Sequence, residues 1–248
     1  MNKIFTFLLL LMLPLISQGV GFADETLHYV VSYKWGLVHK DAADATLSLR
    51  GKGQNYRLML TAKTKPWADR VFKVRDTLLC DVSKSNFLPL SYSKISHEGG
   101  DYRRDDIHYS RSGGKVSGGV TRTKIDKKGQ KNVTQKTLSA SGEAYDMLSV
   151  FYFLRTLDYK ALAQRKTIST NIFSGSKVES LTIRYVGTEK LKLRNGSYRD
   201  AIKISFSFTT DGRKKSSDNI EAWLSADTHI PLQLIGKLPV GSVRVYLV

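Results

Sequence analysis

The side chains best spaced to do chemistry lie between residues 146 and 155. Asp146 and Ser149 stand one helical turn apart, and so do Tyr152 and Arg155. An arginine beside an aromatic ring can hold an anionic head group through two parallel hydrogen bonds. The same arginine can instead pair with a nearby carboxylate and fix its helix to the fold, since a helix lying over a sheet has to satisfy its polar residues. Both readings stay open at this level. The large aromatics Trp35, Trp67, Phe72, Phe151 and Tyr152 pose a parallel choice, between lining an apolar cavity and filling an ordinary core. With Arg155 they make up the candidate ligand-binding set.

Other chemistry is hard to find. The five histidines (His28, His39, His97, His108 and His229) show no metal-binding spacing. Asp105-Asp106-Ile107-His108 could supply ligands, but beside Arg103 and Arg104 it reads as a solvated charged turn. There is no Gly-x-Ser-x-Gly elbow. The glycine pairs Gly113-Gly114 and Gly118-Gly119 lack the strand–turn–helix setting of a phosphate or dinucleotide loop. No catalytic residue, metal or cofactor is indicated, and the expected role is non-enzymatic. Carboxylates that converge only in three dimensions, as in a hydrolase of envelope polymers, are the enzymatic alternative.

The elements that position these residues come after a leader. Lys3 precedes an apolar run from Ile4 to Leu13, extended by Pro14-Leu15-Ile16 and closed by small and polar residues up to Ala23. That is the form of an export signal. Gly21 and Ala23 fit its two small positions, which places the cut before Asp24, leaving 24–248 as one domain. The run is shorter than the roughly 20 residues of a transmembrane span, and no Cys follows to carry a lipid. The product is therefore expected to be soluble and, in a Gram-negative cell, periplasmic. Cys80 is the sole cysteine. It excludes an intrachain disulfide, and in Leu78-Leu79-Cys80 it reads as a small buried hydrophobe.

The chain has 39 Lys and Arg against 22 Asp and Glu, a net charge of +17, of which the leader contributes only Lys3. Such a field favours anionic partners, such as a membrane surface or an acidic polymer. It also serves simply to solvate a β-rich surface and keep strand edges apart. Export makes nucleic acid the poorest partner.

Periodicity of two runs through most of 24–248. Leu27, Tyr29, Val31, Tyr33 and Trp35 alternate with polar residues up to Gly36. Residues 45–62 read as a hairpin about Gly51-Lys52-Gly53-Gln54. Further strands are expected near 74–82, 87–96 and 102–110, then after residue 165, with Asn195-Gly196 marking a two-residue hairpin turn. Residues 111–136, rich in Gly, Ser and Lys, read as a solvated hairpin or mobile loop. Only Glu143–Leu157 changes period: Ala144, Met147, Leu148, Phe151 and Leu154 predict an amphipathic helix of about four turns, with Ser141 as its cap. The short segment 66–72 suggests a single helical turn. The expected fold is mainly β, a large curled antiparallel sheet or open or closed barrel with one helix packed on it.

Three strings carry a resemblance: Asp146-Met147-Leu148-Ser149-Val150-Phe151-Tyr152-Phe153-Leu154-Arg155, Tyr33-Lys34-Trp35-Gly36, and Trp223-Leu224-Ser225-Ala226-Asp227 with Pro231. They resemble the DUF3108 family of exported bacterial proteins of unknown function, over nearly the whole of 24–248. The resemblance implies an envelope protein with no assigned activity. Residues 220–234 also look like an element of periplasmic lipoprotein carriers, whose curved half-barrel holds acyl chains. That likeness concerns architecture and not function. Partners expected on these grounds are a lipid or other amphipathic ligand, an anionic membrane face, or another envelope protein.

Overall fold

The computed structural model describes residues 21–210, 214–237 and 241–248, with backbone alone at 210 and 214–219. Of the expected leader, only Gly21, Phe22 and Ala23 fall within these bounds. The chain opens with β1 (Glu25–Trp35), β2 (Val38–Lys52) and β3 (Asn55–Thr64), then a single turn α1 (Pro66–Asp69). A meander follows: β4 (Val74–Ser83), β5 (Pro89–Glu98), β6 (Asp101–Ser112), β7 (Lys115–Ile125) and β8 (Lys131–Ser141). The centre holds β9 (Ala144–Tyr145), α2 (Ser149–Arg155) and α3 (Tyr159–Arg165). The chain ends on β10 (Thr167–Ser174), β11 (Lys177–Lys192), β12 (Tyr198–Thr210), β13 (Lys214–Ser225), β14 (Pro231–Lys237) and β15 (Ser242–Leu247).

All the strands form one sheet in the order β8-β7-β6-β5-β4-β3-β2-β1-β15-β14-β13-β12-β11-β10-β9. Every pairing is antiparallel except β9 with β10, as short turns between successive strands require. The sheet curls until its edges approach, giving a nearly closed, barrel-like form. At the seam, Asn171 Nδ2 on β10 donates to the carbonyls of Ser141 (2.9 Å), the last residue of β8, and Glu143 (3.0 Å) just beyond it. Phe173 packs where Gly118 of β7 has no side chain; a Cβ there would lie 2.7 Å from the Phe173 ring.

Register fixes which side chains face inward. One row runs Leu27, Leu47, Leu60, Leu78, Lys94, Asp105, Arg122 from β1 to β7. This row is thus apolar along β1–β4 and becomes charged along β5–β7. Charge there is paired: Arg122 grips the buried Asp105 through two bonds (2.5 and 2.8 Å), and Lys94 lies 3.7 Å from both Asp76 and Glu98.

The helix differs from expectation. Residues 144–145 are a strand, held by β10, and α2 begins only at Ser149. The stop lies in Asp146, whose carboxylate accepts from the backbone N–H groups of Leu148 and Ser149, both at 2.8 Å. Ser149 Oγ accepts in return from Asp146 N at 3.0 Å. This reciprocal arrangement is a capping box, and it takes the role expected of Ser141. A second helix, α3, follows, capped by Asp158. The 111–136 region resolves as the ordered hairpin β7–β8, its turn closed by Asp126 accepting from Lys128 N and Gln130 N. The Asn195-Gly196 turn is wider than two residues, closing through Leu193 N to Ser197 O (2.8 Å).

Candidate functional site

Seven residues are too few to hold a helix in water, so α2 depends on its surroundings. It lies between two cores. Leu148 and Tyr152 join the cluster of β1–β8, which includes Leu49, Leu58, Cys80 and Ile107. Val150 and Leu154 join that of β10–β13, with Ile183, Ile204 and Leu224.

Both ends of α2 are closed by buried side chains. At its start, Asp146 also accepts from Ser149 Oγ (2.9 Å) and from Cys80 Sγ (3.1 Å) on β4. Burial raises the Asp146 carboxyl above its usual range, against the pull of these donors. Burial and the adjoining Asp146 push the Cys80 thiol up, so it stays protonated as the donor. At the far end, the Tyr159 hydroxyl donates to the Leu154 carbonyl (2.8 Å) and His229 Nδ1 to that of Arg155 (3.0 Å). Carbonyls left open by the last turn are thereby satisfied.

Arg155 is buried, 9% exposed, and its Nη1 pairs with Glu25 Oε1 at the start of β1. Its guanidinium lies 4.4 Å over the Phe22 ring and 5.4 Å over that of Tyr152. Of the two readings of Arg155, the geometry shows the anchor: the residue ties α2 to β1 and is already neutralised.

The candidate set divides. Phe151, Tyr152 and Arg155 gather on α2 within the barrel. Trp35 is 59% exposed at the end of β1. Trp67 lies on α1, donating from Nε1 to the Asp41 carbonyl (2.7 Å) with Lys40 Nζ 4.5 Å from its ring. Phe72, 53% exposed, packs on the Gly99 turn. None of these three reaches the interior space beside α2.

That space is a partly open cavity of about 210 Å³. Its walls are Tyr29 and Val31 of β1, Ala45 and Leu47 of β2, Leu60 and Ala62 of β3, Pro231 and Leu234 of β14, and Val245 of β15. Phe151 faces it from α2. Burial shows the same thing: Leu49 and Leu58 are fully covered, whereas Leu60, Ala62 and Val31 one or two rows away are only half covered. Two other depressions are larger, about 440 and 390 Å³, but mix polar and apolar walls. One lies beside Tyr159 and His229, the other along Arg199, Asp200 and Asp227. Among the described residues, no three His, Cys, Asp or Glu side chains gather as a metal site, and no helix is long and apolar enough to cross a membrane.

A curled antiparallel sheet wound about a buried, doubly capped helix places this chain among barrel-like proteins. A solved structure shares the fold: a β-barrel-like protein of the domain of unknown function DUF1849 from Brucella abortus. It is 13% identical, with a TM-score of 0.61 over 91% of this chain and 95% of that one. The chain belongs to the DUF3108 family of proteins of unknown function, whose model matches residues 28–248. No curated protein matches it.

Sequence reasoning found α2 and its polar pairs but not their partners. Glu25 and Cys80 lie far from Arg155 and Asp146 along the chain. The Asp-x-x-Ser spacing of the cap was the one signal visible beforehand.

Proposed function

We propose that this protein is an exported, non-enzymatic envelope component that holds the hydrocarbon part of an amphiphile with an anionic head group. The observation that carries this reading is the cavity beside Phe151, walled by apolar side chains of five strands, of which Val31, Ala45, Leu60, Ala62, Leu234 and Val245 stand half covered. Its volume lies below the roughly 300–1,000 Å³ of drug-sized sites, which suits a single chain and not a whole two-chain lipid. The head group would lie toward β5–β7, where the exposed Arg103 enters an inner row beyond the Arg122–Asp105 pair. The overall charge of +17 favours an anion there.

Each methylene moved from water into the cavity contributes about 0.8 kcal/mol, or about fourfold in Kd. Affinities for saturated fatty acids of increasing length, measured by displacement of a fluorescent fatty acid, should follow that slope and then level as the cavity fills. Ala62→Phe, which fills the space from the β3 wall, should abolish the slope while leaving the fold intact by circular dichroism. Absence of fatty-acid binding in native protein, with no co-purifying lipid in native mass spectra, rules the reading out.

A second reading, an envelope assembly factor, is favoured by β8. Among the described residues this edge strand pairs with β7 alone, and residues 131–137 are exposed on both faces. Such an edge can accept a strand from another protein. A photo-crosslinker at Thr134 should then return one reproducible partner from intact cells, and a featureless adduct pattern counts against it.

A further inference from the structure

We propose that processing cuts ahead of Phe22, not before Asp24, so that Phe22 stays in the mature chain and plugs the barrel. The proposal rests on the export reading above.

Three cuts satisfy the small-residue requirement at the first and third positions before the bond. Gly21 and Ala23 place it before Asp24; Gly19 and Gly21 place it before Phe22, and Ser17 and Gly19 before Val20. Structure separates the first of these, which removes Phe22, from the other two, which keep it. The Phe22 ring is partly buried against the β1–β8 core. It meets Phe87 edge-on at 4.9 Å and Tyr152 at 5.9 Å, and it covers the Arg155 guanidinium at 4.4 Å. Its backbone nitrogen donates to Tyr56 Oη at 3.1 Å. Tyr56, Phe87, Tyr152 and Arg155 are all at least nine-tenths buried with that ring in place. A cut before Asp24 would discard the ring and open this aromatic box to water beside the Arg155–Glu25 pair. A cut before Val20 or Phe22 keeps it. Water adds across the peptide bond, leaving a carboxylate on the leader and an amine on the mature chain, and either start keeps the Phe22 nitrogen as a donor to Tyr56 Oη.

The test is the intact mass of the protein recovered from the periplasmic fraction of a Gram-negative host expressing the full chain. A mass beginning at Phe22 or Val20 is expected. A mass beginning at Asp24, or at any other residue, overturns the assignment while leaving export intact. An uncut cytoplasmic chain overturns the export reading and this one with it. Two variants separate the cuts: Gly19→Leu should block processing, whereas Ala23→Leu should leave it unchanged, and the reverse pattern refutes the assignment. The plug itself is tested by Phe22→Ala, with its start confirmed by mass. Loss of a partly buried ring should lower Tm by about 4–8 °C; an unchanged Tm shows that the ring completes nothing.

Discussion

Replacing Asp146 by alanine should undo the joint between the two halves of the core. The wild-type carboxylate accepts four hydrogen bonds without contact with solvent: Leu148 N and Ser149 N at 2.8 Å, Ser149 Oγ at 2.9 Å and Cys80 Sγ at 3.1 Å. Loss of an N-cap costs about 1 kcal/mol. Each buried donor left without an acceptor adds about 1 kcal/mol at the low end of its range, and neither the Ser149 hydroxyl nor the Cys80 thiol has water to turn to. The total is about 3–5 kcal/mol, a large share of the 5–15 kcal/mol typical of a whole domain, and a fall in Tm of about 10 °C. Asp146→Asn keeps one oxygen for the helix N–H groups and should cost about half as much. Urea unfolding followed by circular dichroism, at constant m-value, measures both. The pH dependence adds a signed check. Burial raises the folded carboxyl above its unfolded value of 3.8, so the folded state binds the proton more tightly. That contribution is fully present below 3.8 and is lost as pH rises through the folded value. The stability gap between wild type and Asp146→Asn should therefore shrink with rising pH in that window. An Asp146→Ala protein within 1 kcal/mol of wild type would refute the account of the joint.

The buried pair, the seam and the thiol give further tests. Glu25→Ala leaves the Arg155 charge buried without its partner and should cost about 3–5 kcal/mol, most of it recovered when Arg155→Met is added; a double-mutant cycle reads the difference. Gly118→Ala drives a methyl into Phe173 and Ile107 and should cost about 1–3 kcal/mol. Gly119→Ala, whose Cβ meets nothing within 4 Å, serves as the neutral control in the same melting series. Cys80 is buried and its thiol is pushed up, so labelling by a thiol reagent should proceed at the rate of global opening; rapid labelling of the native protein excludes the geometry described.

Strand positions were legible because antiparallel strands in a curled sheet bury one face, and Leu47-x-Leu49 or Leu58-x-Leu60 display that alternation directly. The α2 start was not, because Ala144 and Tyr145 suit either element and the choice is made by Asn171 and Ile172 of β10, some 27 residues away. Register is likewise a property of pairing, so nothing local shows that Asp105 faces Arg122 or that Leu78 faces Lys94. The candidate aromatics were chosen by type, and type alone cannot separate Phe151, beside the cavity, from Trp35 and Phe72, on the surface. Phe22 escaped notice because its neighbours carry the composition of a leader, while its packing partners lie 34 residues and more downstream.

The sheet order has a consequence for the birth of the molecule. β1, the first of the described strands, hydrogen-bonds to β15, the last of them, with Val248 N reaching His28 O at 3.0 Å. The meander β1–β8 can zip from neighbour to neighbour as it emerges, but the two halves share a ladder only once the final residues arrive. Closing so long a loop is slow. The sheet thus stays in two unjoined halves until β15 is in place, and that strand acts as the clasp.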